Sequence, residues 1–139
     1  MFRGPYLLYL PMSENGKLNF SLGLIIAPIL LSVYGQLVIK WRVNQSGPLP
    51  VELAKKTVFF TRLLLDPWII SVMVLGPIAA LIWFAAMTKY ELSYAYPFAS
   101  LAFVLILILS AVFFHETVTV PKVLGVLLVT AGLIVGSRG

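Results

Sequence analysis

A stripe of polar side chains runs along the first long apolar segment of the chain. Ser32, Gln36 and Lys40 recur every four residues, a spacing that places them on one face of a helix. Pro28 begins the same stripe and should bend the helix, because proline cannot donate a backbone hydrogen bond. A hydroxyl, an amide and an amine are hydrogen-bonding groups suited to an anionic or hydroxyl-rich ligand.

Lipid would penalise such a stripe, so we expect it to face the protein interior and line a pathway. The alternative is local: Ser32 bonds back to its own helix and Lys40 extends along the helix to the membrane interface.

A second polar set opens the segment 92–114. Tyr94 suits the aromatic belt at headgroup depth, whereas Tyr96 lies further in and precedes Pro97. A tyrosine hydroxyl in hydrocarbon needs a partner, because an unpaired buried polar group costs several kcal/mol. The candidate substrate-binding set is therefore Ser32, Gln36, Lys40, Arg42, Tyr94, Tyr96 and Ser100.

Glu116 lies between the last two apolar segments, just before the start of the final one. It has two readings, a structural charge at a helix N-terminus or a proton-coupling group. One histidine, no cysteine and no clustered acids indicate neither an enzyme nor a metal site, and we expect no cofactor.

Composition identifies a membrane protein. Apolar residues make up 60% of the 139 positions and charged residues 11%, against about a quarter charged in soluble domains. The +5 net charge comes from basic residues at the ends of apolar runs, which fits lipid headgroups and not nucleic acid.

The pattern predicts an all-α fold with a single domain of four transmembrane helices over residues 20–139. Each apolar run is about long enough to cross ~30 Å of hydrocarbon. Residues 1–19 are expected to form an interfacial lead-in and 50–65 an amphipathic helix in the membrane plane. The expected spans are about 20–41, 67–88, 92–114 and 119–137.

Gly125, Gly132 and Gly136 lie in the last span, and the final two form a GxxxG pattern that allows close helix packing in lipid. Four helices enclose too little volume for a polar substrate. We therefore expect a dimer, either a homodimer or a heterodimer with a paralogous subunit, with substrate between the protomers and the fourth span in contact.

Three motifs together resemble the drug/metabolite transporter superfamily, with its EamA and small multidrug resistance branches. They are SxxGQxxxK at 32–40, AYPxxS at 95–100 and HExxxxxKxxGxxLxxxG at 115–132. The similarity covers about residues 20–137. It looks strongest for the four-helix subunits that flip aminoarabinose-linked undecaprenyl phosphate. This resemblance implies a multi-pass protein of the bacterial inner membrane.

One difference from the family pattern distinguishes the small multidrug resistance branch from the flippase subunits. Small multidrug transporters carry a proton-exchanging glutamate in the middle of the first helix, and Ser32 occupies that position here. Without a central acid, Lys40 and its neutral neighbours favour a flippase for a polyprenyl-phosphate-linked sugar. The alternatives are a proton-coupled cation exporter using Glu116 or Glu91, and a membrane scaffold without transport.

Overall fold

The computed structural model describes residues 14–136 and residue 138, with side chains from residue 22 onward, and all its regular secondary structure is α-helical. In chain order the helices are α1 (Glu14–Gln45), α2 (Leu53–Leu64), α3 (Pro67–Met87), α4 (Leu92–Ala99), α5 (Leu101–Phe114) and α6 (Val120–Gly136).

Three stretches are long and apolar enough to cross a bilayer: Leu22–Gln45 of α1, the whole of α3, and α4 with α5 over Leu92–Phe114. The shorter apolar helix α6 has 17 residues, about 26 Å at 1.5 Å per residue. The prediction of an all-helical, multi-pass membrane protein is confirmed.

Helix α1 is longer than the span expected over 20–41. It begins at Glu14, inside the segment 1–19 that was expected to be a lead-in, since no proline stands between that residue and Pro28. It ends at Gln45, and Gly47 follows with φ 79°, a conformation that glycine adopts without strain. The rest of the expected lead-in, residues 1–13, lies outside the described residues.

The packing of α1 against α3 forms the centre of the bundle. Ile25, Ile29 and Val33 are buried, and their four-residue spacing gives α1 one aliphatic face. At Gly35 a Cβ would lie 3.2 Å from Cγ1 of Val72. The absence of a side chain there lets the two helices approach closely.

A hydrogen bond joins the same two helices, from the middle of the apolar stretch of α1 to the second turn of α3. The Tyr34 and Ser71 hydroxyls are 3.0 Å apart, and Ser71 Oγ also lies 2.6 Å from the carbonyl oxygen of Trp68. Since the serine has only one hydroxyl proton, which it gives to Trp68, Tyr34 is the donor to Ser71.

The third expected span is divided in two at Ser100. Pro97 has no N–H for the helical ladder, and Ser100 N donates to the carbonyls of both Tyr96 and Pro97 at 3.2 Å. Phe103 N then bonds Ser100 O at 3.0 Å, a three-residue step. The helix is locally tightened to a 3₁₀-like turn.

Helix α2 lies within the range expected for an interfacial helix. None of its residues is buried, and Lys55 and Arg62 fall on one side, opposite Phe60 and Leu64. A basic face opposite an apolar face suits a helix lying in the membrane surface.

The Tyr34–Ser71 bond should couple the stabilities of the two residues. In a double-mutant cycle of Tyr34→Phe and Ser71→Ala, we expect a coupling energy of about 0.6 kcal/mol, the average for hydrogen bonds inside membranes. Equilibrium unfolding in mixed micelles measures it. Strictly additive effects of the two substitutions would contradict the bond.

Candidate functional site

Two ion pairs lie at one end of the bundle, which we call the polar end: the last turns of α1, the start of α3 and the α5–α6 turn. Lys40 Nζ lies 3.0 Å from Glu116 Oε1, and the Arg42 guanidinium pairs with Asp66. Both cations of the predicted binding set therefore have acidic partners. The sequence predicted the cations and not their pairing.

Arg42 is held from several sides. It donates to Gln45 Oε1 at 2.6 Å and to the Asp66 carboxylate, and its guanidinium lies 5.3 Å from the ring centre of Trp41. Asp66 in turn caps α3, accepting from Trp68 N at 3.0 Å. The Arg42 and Asp66 side chains are only 26% and 10% exposed. This pair fixes the end of α1 to the start of α3.

Burial alone would raise the pKa of Asp66. The hydrogen bond from Arg42, the backbone N–H of Trp68 and the positive charge of Arg42 outweigh that effect and lower the pKa below its ordinary value. Asp66 is therefore ionised at neutral pH.

The turn between α5 and α6 presents Glu116 to α1. His115 adopts left-handed backbone angles, φ 52° and ψ 32°, and its N–H bonds the Ser110 carbonyl. Histidine is among the residues that tolerate this region best. The hydrogen bond and charge of Lys40 lower the pKa of Glu116, with a smaller contribution from Lys122.

Ser32 and Gln36 lie together on α1, as the spacing predicted. Gln36 Nε2 donates to Ser32 Oγ at 3.3 Å. Both line a cavity of about 310 Å³ between α1 and α3, and Gly35 and Gly76 line it as well. Within the protomer Ser32, Gln36 and Lys40 are exposed. The buried part of the same side of α1 lies about two turns earlier, at Ile25, Ile29 and Val33.

The polar residues of α4 lie at the opposite end of the bundle. Helix α5 has 14 residues, so about 21 Å separates Ser100 from the α5–α6 turn. Ser100 is buried and its hydroxyl donates to Pro97 O at 2.5 Å. Tyr94 stacks on Tyr90 with ring centres 5.5 Å apart, and Tyr94 and Tyr96 are about half exposed.

The seven predicted substrate-binding residues thus occupy three levels. Lys40 and Arg42 are at the polar end, Ser32 and Gln36 are near the middle of α1, and the α4 residues are at the far end. A single sugar phosphate cannot touch all of them at once.

Sequence reasoning missed Asp66, Ser110 and Lys122 as members of the polar end. The Asp-Pro step before α3 is a readable helix-capping signal for Asp66, but its pairing with Arg42 has no sequence signature. Among the described residues, no three His, Asp or Glu side chains come together as a metal site.

Known proteins of similar sequence identify the family. The chain is 35% identical over 103 residues to a protein of Aeromonas salmonicida (strain A449) named a probable 4-amino-4-deoxy-L-arabinose-phosphoundecaprenol flippase subunit ArnE, covering 73% of this chain and 83% of that protein. The chain belongs to this family of flippase subunits.

A second relative agrees over a shorter stretch. A probable flippase subunit ArnF of the same kind, from Pseudomonas savastanoi pv. phaseolicola (strain 1448A / Race 6), is 41% identical over 59 residues, 41% of this chain and 43% of that protein. No family model matches the chain, and no solved structure matches it.

These relatives confirm the resemblance drawn from the three motifs. Both are named as flippase subunits, so the family consists of transporters and not enzymes. They do not favour the cation-exporter alternative. They carry no information on the individual candidate residues.

The Glu116 pair predicts how stability depends on pH. Because the folded-state pKa of Glu116 lies below the ordinary 4.5, the unfolded chain binds the proton more readily, so acid weakens the fold. The stabilisation is complete above the ordinary value and is lost as pH falls through the lower folded value.

We therefore expect the melting temperature of the wild type to exceed that of Glu116→Gln at neutral pH, with the gap narrowing only at acid pH below about 4.5. Melting curves in detergent across this range test the expectation. A gap that stays constant, or grows in acid, would show that the pair does not stabilise the fold.

Proposed function

We propose that this chain is one subunit of a flippase that moves an anionic polyprenyl-phosphate-linked sugar, of the aminoarabinose-phosphoundecaprenol kind, across the bacterial inner membrane. It crosses the bilayer four times, with α6 as the fourth span, and it works as a dimer with a paralogous subunit or a second copy. The names of the two relatives support the substrate class.

The observation that carries this proposal is the exposed polar face of α1. Ser32, Gln36 and Lys40 lie on the open surface of the protomer, where bare hydrocarbon would leave their polar groups unsatisfied. Such a face requires a covering subunit, a water-filled groove, or both. A groove between two subunits provides a route for a polar headgroup while the isoprenoid tail stays in lipid.

The polar face has the chemistry that a sugar phosphate needs. Moving a bare phosphate through hydrocarbon is prohibitive, since an unpaired charge in an apolar medium costs many kcal/mol. Lys40 supplies a cation at the polar end, and Gln36 and Ser32 extend hydrogen-bonding groups about 12 Å further along the helix. The headgroup meets these levels in succession, with Tyr94, Tyr96 and Ser100 near the far end.

Helix α6 is the proposed contact with the other subunit. Most of its residues are exposed in the protomer. Among the described residues, no atom other than the helix's own backbone and immediate neighbours lies within 4 Å of where a Cβ would stand at Gly125, Gly132 or Gly136. An open glycine face in lipid is suited to a closely packed partner helix.

Lys40 is the decisive residue for transport. We expect Lys40→Gln to lower the initial flipping rate about tenfold or more, since a charge-assisted contact to phosphate is lost. The assay uses reconstituted vesicles and a short-chain polyprenyl phosphate carrying aminoarabinose. A membrane-impermeant amine-reactive reagent reports which leaflet holds the sugar.

Lys55→Gln is the matched control. It removes the same charge from the same end of the molecule, but Lys55 lies on α2 and pairs with the exposed Glu52 at 3.1 Å. Flipping should then stay near the wild-type rate. Equal loss in both variants, or no loss in Lys40→Gln, would argue against a specific phosphate contact.

Assembly depends on the glycine face of α6. We expect Gly132→Leu to weaken subunit association in membranes, because a side chain there keeps the partner helix away. Ile134→Phe adds bulk to a different face of the same helix and serves as the control. Chemical cross-linking of the membrane-embedded protein compares the two. Unchanged cross-linking of Gly132→Leu would place the contact elsewhere.

A further inference from the structure

The two ion pairs of the polar end differ in how firmly each is held. The Arg42–Asp66 pair is mostly covered and is supported by Gln45, Trp41 and the α3 cap. The Lys40 and Glu116 side chains, by contrast, are 50% and 38% exposed. An exposed pair is worth little free energy, so Lys40 can exchange its partner and Arg42 cannot.

Glu116 is held so that its carboxylate contacts one cation and lies in the field of a second. The left-handed turn at His115 directs the chain back toward the bundle, with the N–H groups of His115 and Glu116 both bonded to Ser110 O. The carboxylate then contacts Lys40 directly, and the charge of Lys122 also stabilises its ionised form. Lys122 Nζ itself donates to Thr117 O at 3.0 Å.

A cavity adjoins this carboxylate. It has a volume of about 410 Å³, lies between α5 and α6, and is lined by Ser110, Glu116 and Lys122 among apolar residues that include Phe103 and Val126. Lys40 contacts the carboxylate directly, and Lys122 and Ser110 line the cavity beside it. Ammonium and hydroxyl groups together form the kind of setting in which a phosphate binds. The apolar walls suit the first carbons of a lipid tail.

We infer that Glu116 is a resident counter-anion, which the substrate's phosphate displaces from Lys40. This inference rests on the proposed function and names how the same site handles the phosphate. One anion replaces another, so Lys40 is not left without a counter-charge during the exchange.

The exchange has a mechanical consequence. The Lys40–Glu116 contact ties α1 to the α5–α6 turn, whereas Arg42 stays tied to the start of α3. Displacement of Glu116 frees the turn from α1 while α1 and α3 remain joined.

Binding measurements test the inference. The probe is a short-chain polyprenyl phosphate carrying aminoarabinose, added to the purified protein in micelles, with the quenching of intrinsic tryptophan fluorescence as readout. Trp41 neighbours Lys40 in the chain and packs edge-on against Trp68, with ring centres 5.5 Å apart. The same polyprenol without phosphate is the ligand control.

We expect Glu116→Gln to bind the probe about two- to fivefold more tightly than the wild type, the range that an exposed ion pair allows. Glu116→Asp keeps the charge but shortens the reach, and should tighten binding by a smaller factor. Glu52→Gln removes an equal charge from the same end without touching Lys40, and should leave the affinity unchanged.

The outcomes distinguish failure of the Glu116 inference from failure of the proposed function. If the wild type binds and flips the probe, but Glu116→Gln binds it no more tightly or more weakly, Glu116 is not a competing anion and the inference falls alone. If the wild type neither binds nor flips the probe, the proposed function falls. If Glu52→Gln raises the affinity for the probe as much as Glu116→Gln does, the effect is general electrostatic attraction and the inference is wrong.

Discussion

The architecture depends on how the burial of α1 changes along its length. Ile25, Ile29 and Val33 are buried in the bundle. Ser32, Gln36 and Lys40 follow them by seven residues each, which places them on nearly the same side of the helix two turns further on, and there they are exposed. Water would tolerate that arrangement, but hydrocarbon penalises every unsatisfied polar group. These exposed polar groups therefore need cover that the described part of the protomer does not supply. In the proposed function, the same groups bind the polar headgroup.

The two cations at the end of α1 differ in how they are held. Arg42 offers a planar fork of donors that suits a fixed, nearly covered pair with Asp66. Lys40 offers a compact ammonium on a flexible stem, which suits contact that must form and break. Two residues apart in the chain, they point to different neighbours, α3 and the α5–α6 turn. With arginine at position 40 and lysine at position 42, we would expect a firmer contact to Glu116 and a weaker contact to Asp66.

Much of the fold was readable from hydropathy, because each span is defined by its own local composition. The same logic placed Ser32 and Gln36 side by side through their four-residue spacing. Sequence patterns did not predict ion pairs between residues that are far apart in the chain. Lys40 and Glu116 are joined only by the folded arrangement of α1 and the α5–α6 turn, and neither residue's neighbours reveal the other. The polar stripe was expected to face the protein interior, but a single sequence does not show whether that interior lies within one protomer or between two subunits.

The turn at His115 is what brings Glu116 to Lys40. A left-handed residue at the end of α5 reverses the chain within a few positions, and this reversal brings a carboxylate from outside the spans back to a lysine at the end of α1. A central acid within α1 would hold its charge permanently in the transport path and would attract cations. In the proposed exchange, an acid on a turn can instead leave the lysine when the substrate's phosphate takes its place. The same pair of charges would then account for a preference for an anionic headgroup.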